Sequence, residues 1–200
     1  MKRNLSDWKR IHDQWYDRVW KELIPKTNWG EESNHQLERW PQLMKQFGNR
    51  NVLEIGCGSG YLLAWLRSYG YQVNGCDWTE ASGRFCELLG IPWQRFDMDD
   101  PLVYDLDTIG KTIITSGSVE QLGSNWKPFM EFLKKSQAHV IIHKEPIIEL
   151  CGSACRRSIQ NHRRHNFQEG FITAIPKILH AEHCKIGKRY HAYSEVVWKP

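Results

Sequence analysis

The stretch Asn51–Gly60, N-V-L-E-I-G-C-G-S-G, constrains the fold more than any other in this chain. Val52, Leu53 and Ile55 make a short apolar run of the kind that forms a buried parallel strand. Gly56, Gly58 and Gly60 follow at alternate positions. The next residues, Y-L-L-A-W-L-R-S-Y-G, have helical character, with Leu62, Leu63, Trp65 and Leu66 able to share a face and Gly70 as a stop. Glycine lets the backbone turn sharply at positive φ. It also lets a ligand lie against main-chain atoms, beside the free amides of the following helix. Glu54 adds information about that ligand, because a carboxylate here repels a pyrophosphate and suits a group that carries positive charge.

Glu54-x-Gly56-x-Gly58-x-Gly60 resembles the first motif of the class I S-adenosylmethionine-dependent methyltransferases. The resemblance implies S-adenosyl-L-methionine as cofactor, with its sulfonium and ammonium charges near Glu54, and Gly56, Cys57, Gly58 and Gly60 forming the binding turn. A glycine loop alone also fits a nicotinamide-dinucleotide turn or a purely structural βα turn. The order of the later segments therefore matters more than this one.

The second expected strand, Y-Q-V-N-G-C, ends at Asp77, about twenty residues beyond the glycine turn, where an acidic residue is expected to accept from ribose hydroxyls. Trp78 follows, placed to pack on an adenine. Asp77 also reads as a helix cap or turn residue, and Thr79 is a good cap for T-E-A-S-G-R-F-C-E-L-L. A third strand is expected over residues 91–96, entered at Pro92. By the resemblance, Asp97 then accepts from the adenine amino group and the Met98 amide faces the ring; D-M-D-D also fits a solvated turn.

The fourth strand is expected over Lys111–Thr115, followed by S-G-S-V-E-Q-L-G. An N/D-P-P-Y/F turn, as in enzymes that methylate base amino groups, is absent here, and so is a Pro-Cys nucleophile. S-V-E-Q-L instead resembles the turn common among small-molecule and protein methyltransferases. The resemblance places Ser116, Ser118 and Val119 at the cofactor's sulfur side and Glu120 or Gln121 near the line of methyl transfer. A helix over residues 124–136 follows. The fifth strand, A-H-V-I-I-H-K-E-P, carries His143 and Glu145 at its carboxyl end, the ligand side of an open α/β sheet. His143, Glu120 and Glu145 are the acid/base candidates, His143 first. Strand alternation sends His143 and Glu145 to one face and Lys144 to the other.

Before the sheet, Leu5, Trp8, Ile11, Trp15 and Val19 recur at helical spacing. A second helix is expected over residues 31–47, with Leu37, Trp40, Met44 and Phe47 inward. Residues 1–48 thus read as a helical cap, with Tyr16 a candidate substrate contact. After the fifth strand comes a basic insertion at about residues 151–171, where Arg156, His162 and Arg163 suit a carboxylate or phosphate and a solvated basic face serves equally well. Cys151, Cys155, His162 and His165 match no common structural-zinc spacing, so no metal is expected. Residues 177–184 and 192–199 read as a closing antiparallel hairpin.

The expected architecture is one α/β domain: a Rossmann-like, mostly parallel seven-stranded sheet with helices on both faces. The implied activity is methyl transfer to an oxygen or nitrogen nucleophile of a small, acidic substrate. A nucleic-acid or protein-binding module on the same scaffold, and a nicotinamide-linked oxidoreductase, are the alternatives. A net charge of +4 permits an anionic partner without demanding nucleic acid. The six scattered cysteines and the absence of a long apolar run fit a reduced, cytoplasmic protein with no membrane partner.

Overall fold

The computed structural model describes Gln14, Leu37 and residues 39–150, 170–183 and 193–200. Its centre is a sheet of seven strands: β1 (Asn51–Ile55), β2 (Gln72–Asp77), β3 (Trp93–Arg95), β4 (Thr112–Ser116), β5 (Val140–Glu145), β6 (Ile178–His183) and β7 (Ser194–Trp198). Their spatial order is β3-β2-β1-β4-β5-β7-β6. Strands β1 to β5 pair in parallel, and β7 runs antiparallel to both β5 and β6. The order reverses beside β1, so the carboxyl ends of β1 and β4 flank the switch point where such sheets hold ligands. The described helices are α1 (Trp40–Gln46), α2 (Tyr61–Ser68), α3 (Glu80–Leu88) and α4 (Lys127–Lys135).

Strand alternation divides the core in two. Leu53, Ile55, Ile113 and Ile141 face α4, packing with Phe129, Leu133, Phe171 and Trp198. Val52, Ile114, Ile142 and Val197 face the other way, onto Trp40, Leu63 and Leu66. Both faces are covered, so β5 is buried at every residue from Val140 to Glu145.

Several elements are shorter than their sequence suggests. Helix α1 begins only at Trp40, with Pro41 in its first turn. A continuous helix would need a Pro41 amide to reach the Leu37 carbonyl, and proline has none. The 3-10 turn Val119–Leu122 and Pro128 delay α4 until Lys127. Strand β3 keeps only three residues at the sheet edge, starting after Pro92. On α2, Leu62, Leu63 and Leu66 are buried, whereas Trp65 is partly exposed and packs on Tyr69, 4.6 Å between ring centres.

Arg39, at the start of α1, ties that helix to the far edge of the sheet. Its Nε and Nη2 donate to the two carboxylate oxygens of buried Glu195 at 3.2 and 2.9 Å, and Nη2 also meets Glu182 at 2.9 Å. Glu182, Glu195 and His180 form the one group of metal-type ligands among the described residues, and the Arg39 guanidinium bridges its two carboxylates. No described helix is long and apolar enough to cross a membrane.

Candidate functional site

A cavity of about 230 Å³ opens over the carboxyl ends of β1, β2 and β4. The glycine turn forms its floor. Gly56, Gly58 and Gly60 all have positive φ, at 76°, 53° and 70°. For Gly56 a second reason is stronger: a Cβ there would lie 2.4 Å from the Ser118 Cβ. The turn after β1 and the turn after β4 thus touch main chain to side chain, and Ser118 Oγ donates to the Ile55 carbonyl at 3.0 Å. Helix α2 starts at Gly60 with no side-chain cap, and Tyr61 and Leu62 of its first turn line the cavity. Gly60 itself lies behind the wall, against Cys86 and Leu89.

Two carboxylates border the cavity from neighbouring strands. Asp77 is fixed by the protein: Oδ2 accepts from the Gly58 amide at 3.0 Å and Oδ1 from the Thr79 amide at 2.9 Å. The Thr79 and Ser82 hydroxyls add to these donors, so a ligand hydroxyl would share or displace one of them. Burial nonetheless raises the Asp77 pKa against those donors. Glu54 is buried too, but its Oε2 has no hydrogen-bond partner. Burial first, then the nearby Cys86, Asp77 and Glu145 groups, pushes its carboxyl well above the ordinary range. Such an orphaned oxygen costs folding free energy unless a ligand satisfies it.

Cys57, Trp78, Met98, Ser116 and Ser118 complete the sequence-derived part of the lining. Asp97 is not among the lining residues; it is half-buried, and its Oδ1 accepts from the Asp99 amide at 3.0 Å. Leu37, Trp40, Ser59, Gly117 and Gln121 also line the cavity. Of these, Gln121 neighbours Glu120 in the S-V-E-Q-L turn, and Leu37 and Trp40 belong to the inward stripe expected of the second helix. No sequence signal says that this stripe reaches the strand ends.

The acid/base candidates part company here. His143 does not reach the cavity. Its side chain is on the α4 face of β5, wholly buried, edge-on to Phe171 at 5.3 Å and stacked with Trp198 at 6.2 Å. Nδ1 shares a proton with Thr115 Oγ1 at 2.8 Å, and Nε2 has no partner. Burial lowers the His143 pKa to about 3, so the ring is neutral and enclosed. First place as general base passes from it for that reason. Glu145 Oε1 accepts from the amides of Ser118 and Val119 at 3.0 and 3.2 Å, and the Glu120 amide and Thr115 hydroxyl add to the set. Burial outweighs these donors and raises its pKa to about 7. Its observed task is to hold the 3-10 turn. Glu120, on that turn, is half-buried, and burial followed by the Glu145 charge raises its pKa to about 8.

Tyr193 went unnoticed in the sequence. Its ring and hydroxyl lie 3.7 Å from where a Gly117 Cβ would be, and burial, then Glu120 and Glu145, holds its phenol far above the usual range. Tyr16, Arg156, His162 and Arg163 fall outside the described residues, as do Cys151, Cys155 and His165.

No protein-family model and no curated protein matches this chain. Solved structures do. The methyltransferase domain of the bacterial protein CtHen1-CN is 17% identical, covers 84% of this chain and 99% of its own, and superposes with a TM-score of 0.62. N-methyltransferase NodS from Bradyrhizobium japonicum WM9, in complex with S-adenosyl-L-homocysteine, is 14% identical over 93% of this chain and 96% of its own, with a TM-score of 0.65. PH0226 protein from Pyrococcus horikoshii OT3 is 14% identical over 92% and 98%, with a TM-score of 0.57. Strand order, the reversed β7 and these neighbours together give the chain the Rossmann-like class I methyltransferase fold.

Proposed function

We propose that the chain is a methyltransferase that uses S-adenosyl-L-methionine to methylate an oxygen or nitrogen nucleophile of a small substrate. One observation carries this reading: the unpartnered, buried Oε2 of Glu54 on the wall of a glycine-floored cavity. A ligand with a positive group would satisfy that oxygen and draw the carboxyl back to its ionised form. NodS, a neighbour with bound S-adenosyl-L-homocysteine, supports the cofactor, and its description as an N-methyltransferase favours nitrogen as acceptor.

Bound there, the cofactor supplies an already reactive methyl group, so the protein's contribution is positioning and proton handling. Asp77 would accept from the ribose hydroxyls in place of the Thr79 or Ser82 hydroxyl, and Glu54 would take the ammonium charge. Trp78 and Met98 supply apolar surface for the adenine. Ser116, Gly117, Ser118 and Gln121 edge the opposite end, where the acceptor must approach. Glu120 stands beside the lining residue Gln121, and its pKa of about 8 leaves it mostly protonated at neutral pH, so it would serve as base only as the pH rises towards that value. Residues 1–48 would close the cavity as a cap, from which Leu37 and Trp40 already reach the lining. Tyr16, Arg156, His162 and Arg163 would then meet an acidic substrate.

Calorimetric titration tests the cofactor. The expected result is saturable binding of S-adenosyl-L-homocysteine and none of NAD. Binding of NAD in its place, or of neither, would overturn the reading.

A further inference from the structure

Cys57 and Cys86 are free thiols whose sulfurs lie 3.8 Å apart. Both are buried, but Cys57 belongs to the glycine turn and lines the cavity. The pair occupies a slot that glycines keep open. A Cβ on Gly75 would meet the Cys57 sulfur at 2.9 Å, and one on Gly60 would meet the Cys86 sulfur at 3.2 Å. Neither contact is used by the cofactor chemistry above.

We propose that Cys57 and Cys86 are an oxidation site, closed to a disulfide by peroxide, that disables the cofactor turn. The proposal rests on the cofactor reading for its consequence, not for its chemistry. Cys57 Sγ, on the turn that lines the cavity, attacks one oxygen of hydrogen peroxide, slowly, because the Cys86 hydrogen bond and burial hold its thiol well above the ordinary range. The O–O bond breaks and one water leaves, giving a sulfenic acid. Cys86 Sγ attacks that sulfur, the S–O bond breaks and a second water leaves. The two thiol protons leave in the waters, and two electrons pass from the sulfurs to the peroxide. A disulfide needs its sulfurs about 2.05 Å apart. Closing the gap from 3.8 Å moves one partner. Helix α3 is fixed by buried Ala81, Ser82 and Phe85, so the movement falls on the turn. The next residue is Gly58, whose amide is bonded to Asp77. Drawing Cys57 towards α3 therefore displaces the donors and the carboxylate that face the ligand.

The test uses the full chain, reduced and then treated with hydrogen peroxide, with peptides mapped by mass spectrometry and S-adenosyl-L-homocysteine affinity measured by calorimetry. The expected result is a Cys57–Cys86 linked peptide, affinity weakened by about tenfold or more, and recovery of both with dithiothreitol. The ligand, present during oxidation, should slow the linkage by covering Cys57. Cys86→Ala should bind normally when reduced and lose its sensitivity to peroxide. Absence of the linked peptide, a linkage that leaves affinity unchanged, or a Cys86→Ala variant as sensitive as the wild type would overturn the proposal. If the reduced chain fails to bind the ligand, the cofactor reading falls, and the peptide map alone still decides the pair.

Discussion

The ends of β1 and β2 and the ends of β4 and β5 carry similar polar residues and use them differently. At β1 and β2, Glu54 and Asp77 border the cavity, Glu54 with an unpartnered oxygen and Asp77 held by donors from Gly58, Thr79 and Ser82. At β4 and β5, Thr115, His143 and Glu145 bond to one another or to the neighbouring turn. Of the first pair, Glu54 keeps an unpartnered oxygen on the cavity lining, whereas the second set holds up the loop beside it. A carboxylate at the rim of a sheet is thus ambiguous until its lone pairs are accounted for. The contrast is not absolute, since Glu145 Oε2 and His143 Nε2 are also unpartnered. Those atoms, however, belong to residues that do not line the cavity.

The contact that joins the two regions is where the comparison breaks most violently. Gly56→Val forces a side chain into Ser118 at a backbone φ of 76°. Overpacking costs about 1–3 kcal/mol and left-handed backbone about 1–2 kcal/mol more. The expected outcome is a large fall in melting temperature and no measurable ligand binding. Near-normal binding would show that the two turns are independent.

Cutting each region separately sharpens the contrast. Glu145→Ala strands the amides of Ser118 and Val119 and should lower stability by roughly 2–4 kcal/mol. Asp77→Ala should weaken S-adenosyl-L-homocysteine binding by about 1–3 kcal/mol, the range for loss of a buried hydrogen-bond partner. It also frees the Gly58 and Thr79 amides, so some stability goes with it. Urea unfolding and calorimetry on both variants separate the two roles. Equal losses of affinity would erase the distinction. Glu145 also has a signature in pH. Its folded pKa of about 7 lies above the ordinary carboxyl value of 4.5. Between these values the unfolded chain has released a proton that the folded chain keeps, so this group's contribution falls as pH rises. Glu145→Gln removes that slope, at most about 1.4 kcal/mol per pH unit.

Glu54→Gln is a subtler probe of the first region. The amide takes the place of a carboxyl that burial already keeps neutral, and it is no better satisfied, so the melting temperature of the ligand-free protein should change little. Affinity for S-adenosyl-L-homocysteine should fall by about 1 kcal/mol, because the ammonium loses a charge-assisted bond. A variant that is less stable and binds as well as before would count against a ligand-facing Glu54.

The same division explains what the sequence disclosed. Strand, glycine turn and helix lie within Asn51–Ser68, so one local pattern specified both the turn and its place on the cavity. Asp77 and Met98 followed because the ends of neighbouring parallel strands converge on that turn. Leu37 and Trp40 were read as core, and they do pack there, but the cavity wall they share with Gln121 exists only after α1 docks. His143 misled for a related reason. Alternation assigns a residue to a face of the sheet and says nothing about what covers that face. Phe171 and Trp198, which enclose the ring, come from distant parts of the chain.

His143→Phe makes the smallest intended change and the most specific one. Phenylalanine fills the aromatic slot between Phe171 and Trp198 and removes only the bond to Thr115. Ligand affinity should stay within about twofold, since the residue touches no part of the cavity. At neutral pH, stability should drop by about 1 kcal/mol for the lost bond. The pH dependence is more telling. In the folded chain the His143 pKa is about 3, against an ordinary 6.5. Below the higher value the unfolded chain binds a proton that the folded chain refuses, so wild-type stability falls as pH falls from 6.5 towards 3. The phenylalanine variant has no such loss. Its deficit against wild type should therefore shrink, then reverse, as the solution is acidified, and level off above pH 6.5. Urea unfolding at a series of pH values reads this directly. A deficit that is constant with pH, or a tenfold loss of ligand affinity (about 1.4 kcal/mol), would return His143 to the cavity side of the comparison.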